Sequence, residues 1–538
     1  MHEAGARMMT PTFTPTFTPT FSPTMVLALL AGATTLSVAA PAVSAGDMSD
    51  DTARQIAELR ASNEALAAKV TKLEQAAGSE NWLTEERASE IRSIVSDVLA
   101  DAATRDSLQA SGMTGGWNKD QGGFFLASSS GDFKLNIKGQ IQVRWAYDHR
   151  DNTGLGSTAA KSDAWGFENR RTKLTFGGFV VDPSWSYELK AVYNRTPTSL
   201  TNGDQTLANG NIVGSVEDIW VQKDFGNGIM LRAGQFKTPF LREELVSSAT
   251  QLAADRTLVS EVFSTKFGQG LQLEFAGRAG DQYRGLFYYG DGMRANATNV
   301  PTNSTANSTG FAGAYTTAFN SNLTNYAFAG RFEFLGEGSW KTVRDLNSYV
   351  GDDKAWVIGV GGMAQSLRPT NEGPVTPATT DNMWGATADA TVYFGGATLF
   401  AYGVYRNVGL TGDVATRGGG TSDSMNQWGV VVQGGLFVST EVELFARYEV
   451  GSTDTDQFRT VEPGVDLDQD SIVTIGVNYF VGGRKELKWT TDIGYALVPV
   501  GDFNSSGSDW LTDGSSTTGN GFSDDGQWVL RTQFQLLF

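Results

Sequence analysis

The sequence predicts an all-β transmembrane fold: an antiparallel barrel of about 16 strands with an N-terminal helical and coiled-coil extension. Three observations predict it. Residues 124–538 alternate apolar and polar side chains with a period of two, and the last alternating strand runs to an aromatic final residue. The composition joins 31 Phe, 15 Tyr and 13 Trp to a mean hydropathy of only −0.23. A helical membrane protein needs runs of about 20 apolar residues, and none follows the N-terminal region. A barrel needs only every second residue apolar, so its mean stays hydrophilic. Composition alone fits a secreted soluble β protein almost as well, and the periodicity decides.

The elements follow in order. Residues 1–45 read as a signal peptide: Met25–Ala40 is an apolar segment, and Val43-Ser44-Ala45 is a small-residue site suited to cleavage after Ala45. An uncleaved anchor is the other reading, but the Ala, Thr and Ser content makes a poor permanent span. Residues 46–78 carry Ile56, Leu59, Asn63, Leu66, Val70 and Leu73 at alternating spacings of three and four. That pattern fits a short parallel coiled coil with one polar core position, or an isolated amphipathic helix. Residues 79–123 read as a helical base and linker. Ile91, Ile94, Val95, Val98 and Leu99 form a helical stripe that Gly112 and Gly115-Gly116 stop.

The barrel domain, 124–538, shows its pattern best in its first strand. Phe133, Leu135, Ile137, Ile141, Val143 and Trp145 share one face; Lys134, Asn136, Lys138, Gln140, Gln142 and Arg144 share the other. Such a strand separates water from oil, and it has the roughly 9–11 residues that crossing a bilayer needs. The pattern recurs at Trp185–Tyr193, Tyr326–Phe334, Trp428–Val432, Val442–Tyr448 and Leu487–Tyr495. Long connections, read at Asn296–Asn325, Leu367–Asp381, Leu410–Ser424, Gly451–Asp468 and Val500–Asp525, alternate with short ones such as Gly226-Asn227-Gly228, Gly395-Gly396 and Gly482-Gly483. Long loops on one side and tight turns on the other suit an outer-membrane barrel. At the C-terminus Phe534, Leu536 and Phe538 lie on one face of a final amphipathic strand, which resembles the sorting signal of bacterial outer-membrane barrels.

The residue inventory narrows the chemistry. There are no cysteines, which removes disulfides, thiolate nucleophiles and Cys-ligated metals. A net charge of −18 argues against nucleic acid as a partner. The only histidines are His2 and His149, so a histidine-based triad or zinc site has no support; His149 reads as a loop residue past the first strand. Asp466, Asp468 and Asp470 open like a calcium loop, but Ser471 and Val477 stand where Gly and Glu are needed. No catalytic residue, metal site or cofactor is expected, and the chain is not read as an enzyme. Basic residues on polar strand faces, Lys134, Lys138, Arg144, Arg171, Lys173, Lys190 and Arg232, have two readings. They line an anion path, or they pair with Glu188, Glu333, Glu443 and Glu449 in ladders that stiffen the wall.

The segment Leu231–Ser248, with Gly234-Gln235-Phe236-Lys237-Thr238-Pro239-Phe240 at its heart, resembles the phosphate-selective porin O and P family. Asp255-Arg256 stands where that family carries an acidic–Arg pair, and looser likeness extends through Gly270–Leu273, Leu286–Gly292, Leu444–Glu449 and Lys485–Trp489. The resemblance implies a 16-stranded, homotrimeric barrel of the bacterial outer membrane whose lumen favours small inorganic anions such as phosphate. Membrane lipid and the barrel-assembly machinery are the further partners expected. The alternatives are a non-selective porin and a structural or adhesin barrel without solute specificity.

Overall fold

The computed structural model describes residues 112–118, 122–150, 163–195, 212–276, 281–293, 296–297, 311–312, 324–367, 380–416, 419–454, 470–497 and 527–538, with the single residues Ala68, Gln457, Val500 and Trp510. The chain forms two compact units, residues 1–104 and 105–538. In the first, only Ala68 is described, and it is helical. The expected signal peptide and coiled coil otherwise lie outside the described residues, as do Asp466 and Asp468.

The second unit begins with a hairpin of β1 (Met113–Trp117) and β2 (Phe124–Ser128). Seven strands follow: β3 (Phe133–Arg150), β4 (Asp163–Val180), β5 (Trp185–Arg195), β6 (Ile212–Asp224), β7 (Ile229–Lys237), β8 (Phe267–Ala276) and β9 (Tyr283–Gly290). Nine more complete the wall: β10 (Thr324–Glu337), β11 (Ala355–Leu367), β12 (Thr380–Tyr393), β13 (Ala397–Ala415), β14 (Thr421–Phe437), β15 (Val442–Ser452), β16 (Asp470–Phe480), β17 (Leu487–Ala496) and β18 (Gln527–Leu537). Each pairs antiparallel with the next, and β18 returns to β3 from Gln527↔Arg150 to Leu537↔Gln140, closing a 16-stranded barrel. Closure gives the first and last strands of the wall a neighbour on both sides, which hydrocarbon demands.

The period-two pattern sorts side chains across that wall. On β3, Val143 is exposed outside while Gln142 and Arg144 are buried inside. On β18, Phe534 faces out while Arg531, Gln533 and Gln535 face in. Outward Trp489 and Phe534 meet edge to face at 6.0 Å, part of the apolar outer band.

Three boundaries differ from the sequence reading. Strand β3 continues to Arg150, so His149 lies on the strand, its Nδ1 2.7 Å from Asp163 Oδ1 across the hairpin. The connection read at Leu410–Ser424 shrinks to residues 416–420, because the ladder extends through Val414↔Ser422 and Ala415↔Thr421. Residues Met113–Trp117, placed in the linker by their glycines, form a strand because β2 supplies a partner ladder. Tertiary pairing here overrides the weak strand preference of Gly.

Short turns join the strands at one end, for example residues 181–184, 225–228 and 394–396. The other end carries the long connections. One of them, residues 238–266, turns into the barrel. It contains two short helices, α1 (Arg242–Leu245) and α2 (Leu258–Phe263). Its Phe240, Leu241, Val259, Val262 and Phe263 bury against inward Met383, Phe400, Tyr402, Val404, Met425 and Val431 of β12–β14. The core of this protein is therefore inside the barrel, between an inserted connection and one half of the wall.

Candidate functional site, the constricted lumen

The turn inward starts at the motif around Lys237. Gly234 sits at φ +135°, and a Cβ there would lie 2.2 Å from the Ile219 carbonyl oxygen, so only glycine lets β7 approach β6. Gln235 donates to the carbonyls of Val216 and Glu217, each at 2.9 Å. Phe236, 1% exposed, packs edge-on against Tyr288 at 5.8 Å. Lys237 donates to the Glu244 carbonyl and lies 3.5 Å from its carboxylate. Beyond Pro239, the carbonyl of the fully buried Phe240 accepts from Arg331 at 3.1 Å. The motif thus aims and anchors the inserted connection, and of its residues Lys237 and Pro239 also face the open lumen.

Charged clasps fix the rest of the connection to the wall. Asp255 takes Arg171 at 2.8 Å, Arg170 at 3.0 Å and Arg144 at contact distance; Arg144 also binds Glu168. Burial opposes the charge on Asp255, but Arg144, Arg170 and Arg171 outweigh it and hold the carboxyl well below its ordinary range. Arg242 reaches Glu333 at 3.2 Å and the Val343 carbonyl at 2.6 Å. The Ala254 amide donates to Asp492 at 2.9 Å, and Arg447 and Lys488 donate to the carbonyls of Asp255 and Gln251. Glu243, buried completely, is satisfied by the Thr257 amide at 2.9 Å, its hydroxyl at 2.6 Å and the Tyr402 hydroxyl at 2.8 Å.

What remains open is a cavity of about 720 Å³ between the connection and β4–β10. Lys173, Lys190, Arg232, Lys237, Arg242, Arg284 and Arg344 line it and outnumber the carboxylates Glu188, Glu217, Asp218, Glu274 and Glu333. Several of these pair: Lys173 with Glu217 at 2.6 Å, Lys190 with Asp218 at 2.5 Å and Glu188 at 3.2 Å, Arg284 with Glu274 at 2.8 Å. Arg232 is held differently. Gln222 Oε1 accepts from its Nε at 2.9 Å and Nη2 at 2.8 Å, and its guanidinium stacks over Trp220 at 4.2 Å. Among the described residues, no carboxylate oxygen lies within 4.0 Å of Arg232, Arg344, Lys134 or Lys138.

Of the basic residues singled out in the sequence, Lys173, Lys190 and Arg232 come together on this cavity. Lys134 and Lys138 sit on β3 near the rim of short turns, Lys134 over the Phe125 ring at 5.6 Å. Arg144 and Arg171 are buried around Asp255. Of the proposed partners, Glu188 and Glu333 form ion pairs, Glu449 lies 3.6 Å from Arg447, and Glu443 accepts from Asn347 and Asn478. Sequence reasoning missed Trp220 and Gln222. Counting register from the Gly226-Asn227-Gly228 turn pairs Gln222 with Arg232 and finds them. Arg344 comes from the turn 338–354, which folds under the inserted connection through the Leu346 amide and the Thr250 carbonyl at 3.1 Å; no local pattern announces it.

The sequence pattern of the family described as phosphate-selective porin O and P matches residues 136–495. No curated protein matches the chain. Among solved structures, the chain is similar to an anion-selective porin from Comamonas acidovorans, at 11% identity over 75% of this chain and 99% of that one, with a TM-score of 0.43. It is also similar to OmpF of Salmonella typhi in complex with daunomycin, at 12% identity over 76% and 99%, TM-score 0.42. A third is the outer-membrane channel DcaP of Acinetobacter baumannii, at 10% identity over 75% and 97%, TM-score 0.42.

Proposed function

The chain belongs to the phosphate-selective porin O and P family of bacterial outer-membrane channels, and from that premise we propose that its lumen passes small inorganic anions, phosphate among them, by passive diffusion. The observation that carries the anion reading is Arg232. Trp220 and Gln222 hold its guanidinium in place, no carboxylate among the described residues forms an ion pair with it, and it faces the cavity that the inserted connection leaves open. A low-dielectric wall focuses such a field and raises the local anion concentration. Screening over about 8 Å at physiological salt confines the effect to narrow parts of the lumen. The net acidity of the chain does not oppose this, since carboxylates such as Asp352, Asp353 and Asp454 lie in connections outside the strands.

The ion pairs of Lys173 and Lys190 favour a second reading, a non-selective porin with a stiffened wall. Adding inorganic phosphate to single channels carrying KCl current separates the two. Competition at the constriction lowers the chloride current in steps that saturate. Current that only follows bulk conductivity supports the non-selective reading.

Family membership supports a homotrimer inserted by the barrel-assembly machinery. The heptad residues Ile56–Leu73 extend that proposal to a coiled coil in the N-terminal unit. Cysteines introduced at Leu59 and Leu66 should then crosslink between subunits of the full-length protein. Monomers in mild detergent without crosslinks would remove both claims.

A further inference from the structure

The β1–β2 hairpin lies outside the residues matched by the family pattern, and the transport proposal does not use it. Strand β3 runs past the end of β18: Phe538 reaches only Gly139, while Phe133 to Lys138 continue below it. There β2 takes over as the neighbour of β3, from Phe124↔Ile137 to Ala127↔Lys134. In turn β1 pairs with β2 from Trp117↔Phe124 to Met113↔Ser128. Opposed residues of an antiparallel pair share a face. Met113, Trp117, Phe124 and Leu126 therefore continue the outer face of Leu135 and Ile137. They are 57%, 46%, 52% and 41% exposed. The Trp117 and Phe124 rings meet edge to face at 5.0 Å.

We infer that this hairpin is an interfacial part of the membrane wall, its apolar face resting in the periplasmic leaflet at the level of the phospholipid headgroups. Two observations place it there. The β18 ladder stops short of the β3 edge from Phe133 to Lys138, and β2 takes up that edge, so the hairpin directly continues the wall. The pair Phe133↔Val180 also sets the hairpin level with the β4–β5 turn, at the barrel rim and away from the bilayer centre. Aromatic side chains gather at that depth, and the exposed Val180, Val181 and Trp185 continue the same apolar rim. The occupant is lipid because the patch is continuous with the exposed apolar outer band of the barrel.

The chain has no cysteine, so single labels report cleanly. Trp117→Cys and Leu126→Cys probe the outer face; Thr114→Cys and Phe125→Cys probe the opposite one. Each full-length variant carries a nitroxide in phosphatidylethanolamine–phosphatidylglycerol vesicles, and its collisions with oxygen and with a water-soluble nickel chelate are compared. The expected result is a period of two: oxygen reaches 117 and 126 several-fold better than nickel does, and the preference reverses at 114 and 125. Should Trp117→Cys fail to assemble, Met113→Cys replaces it on the same face. Nickel access equal on both faces would put the hairpin in water and overturn the inference. Exclusion of both reagents at 117 and 126, with spin–spin broadening, would assign the face to a second copy and overturn it equally.

Discussion

Asp255→Ala should lower barrel stability by about 3–5 kcal/mol, because removing one partner of a buried ion cluster leaves the others uncompensated. Arg170 and Arg171 converge on that carboxylate at 3.0 and 2.8 Å, with Arg144 beside them. Unfolding followed by loss of the heat-resistant folded band on gels reads the effect. Asp255→Asn, which keeps size and hydrogen bonding but not charge, should fall between the variant and the wild type. The pH dependence has a definite sign. The folded carboxyl is held below its unfolded value, so its contribution is complete above the unfolded value of about 3.9. It is lost progressively as pH falls from there to the lower, folded value. Wild-type barrels should therefore show no loosening of this clasp between about pH 7 and 4.5. An Asp255→Ala variant as stable as wild type would mean that the apolar contacts of Phe240, Val262 and Phe263 hold the connection alone.

Gly139→Val should reduce the folded barrel in the membrane severalfold. A Cβ at Gly139 would stand 2.1 Å from Phe538 Cζ. The same pair closes the barrel seam through the backbone: Gly139 N donates to the Phe538 carbonyl at 2.5 Å, and Phe538 N donates to the Gly139 carbonyl at 3.0 Å. Pushing the ring away therefore strains the last pairing of the wall, and overpacking alone costs about 1–3 kcal/mol. Adding Phe538→Ala to Gly139→Val frees that space and should restore part of the loss. Deleting Phe538 removes both hydrogen bonds and should be the more severe change, whatever machinery reads Phe534, Leu536 and Phe538 during insertion. Normal membrane levels of the deletion and of Gly139→Val would contradict this account of the seam.

The wall was legible because its code is local. Lys134, Asn136 and Lys138 against Phe133, Leu135 and Ile137 show two faces within a few residues, and the bilayer enforces that division along every strand. Strand ends were less legible, since polar residues such as His149 suit a strand emerging into water as well as a loop. The site was legible only in part. Lys173, Lys190 and Arg232 were found on polar faces, but the same pattern marks Arg144 and Arg171, which the inserted connection covers. Which inward residues stay wet depends on where residues 238–266 pack, and no period records that. The inward apolar set Phe400, Tyr402 and Val404 makes the same point, because it serves a core inside the barrel.

The central claim is that lumen cations without an ion-pair partner among the described residues set the selectivity, and the zero-current potential across planar bilayers in a KCl gradient tests it most directly. Wild type should prefer chloride. Arg232→Glu with Arg344→Glu should carry the potential toward potassium, and the shift should shrink as salt rises. Arg232→Gln alone should move it part of the way. A wild-type channel that prefers potassium, or a double variant with an unmoved potential, would contradict the account and leave these residues as structural elements of the wall.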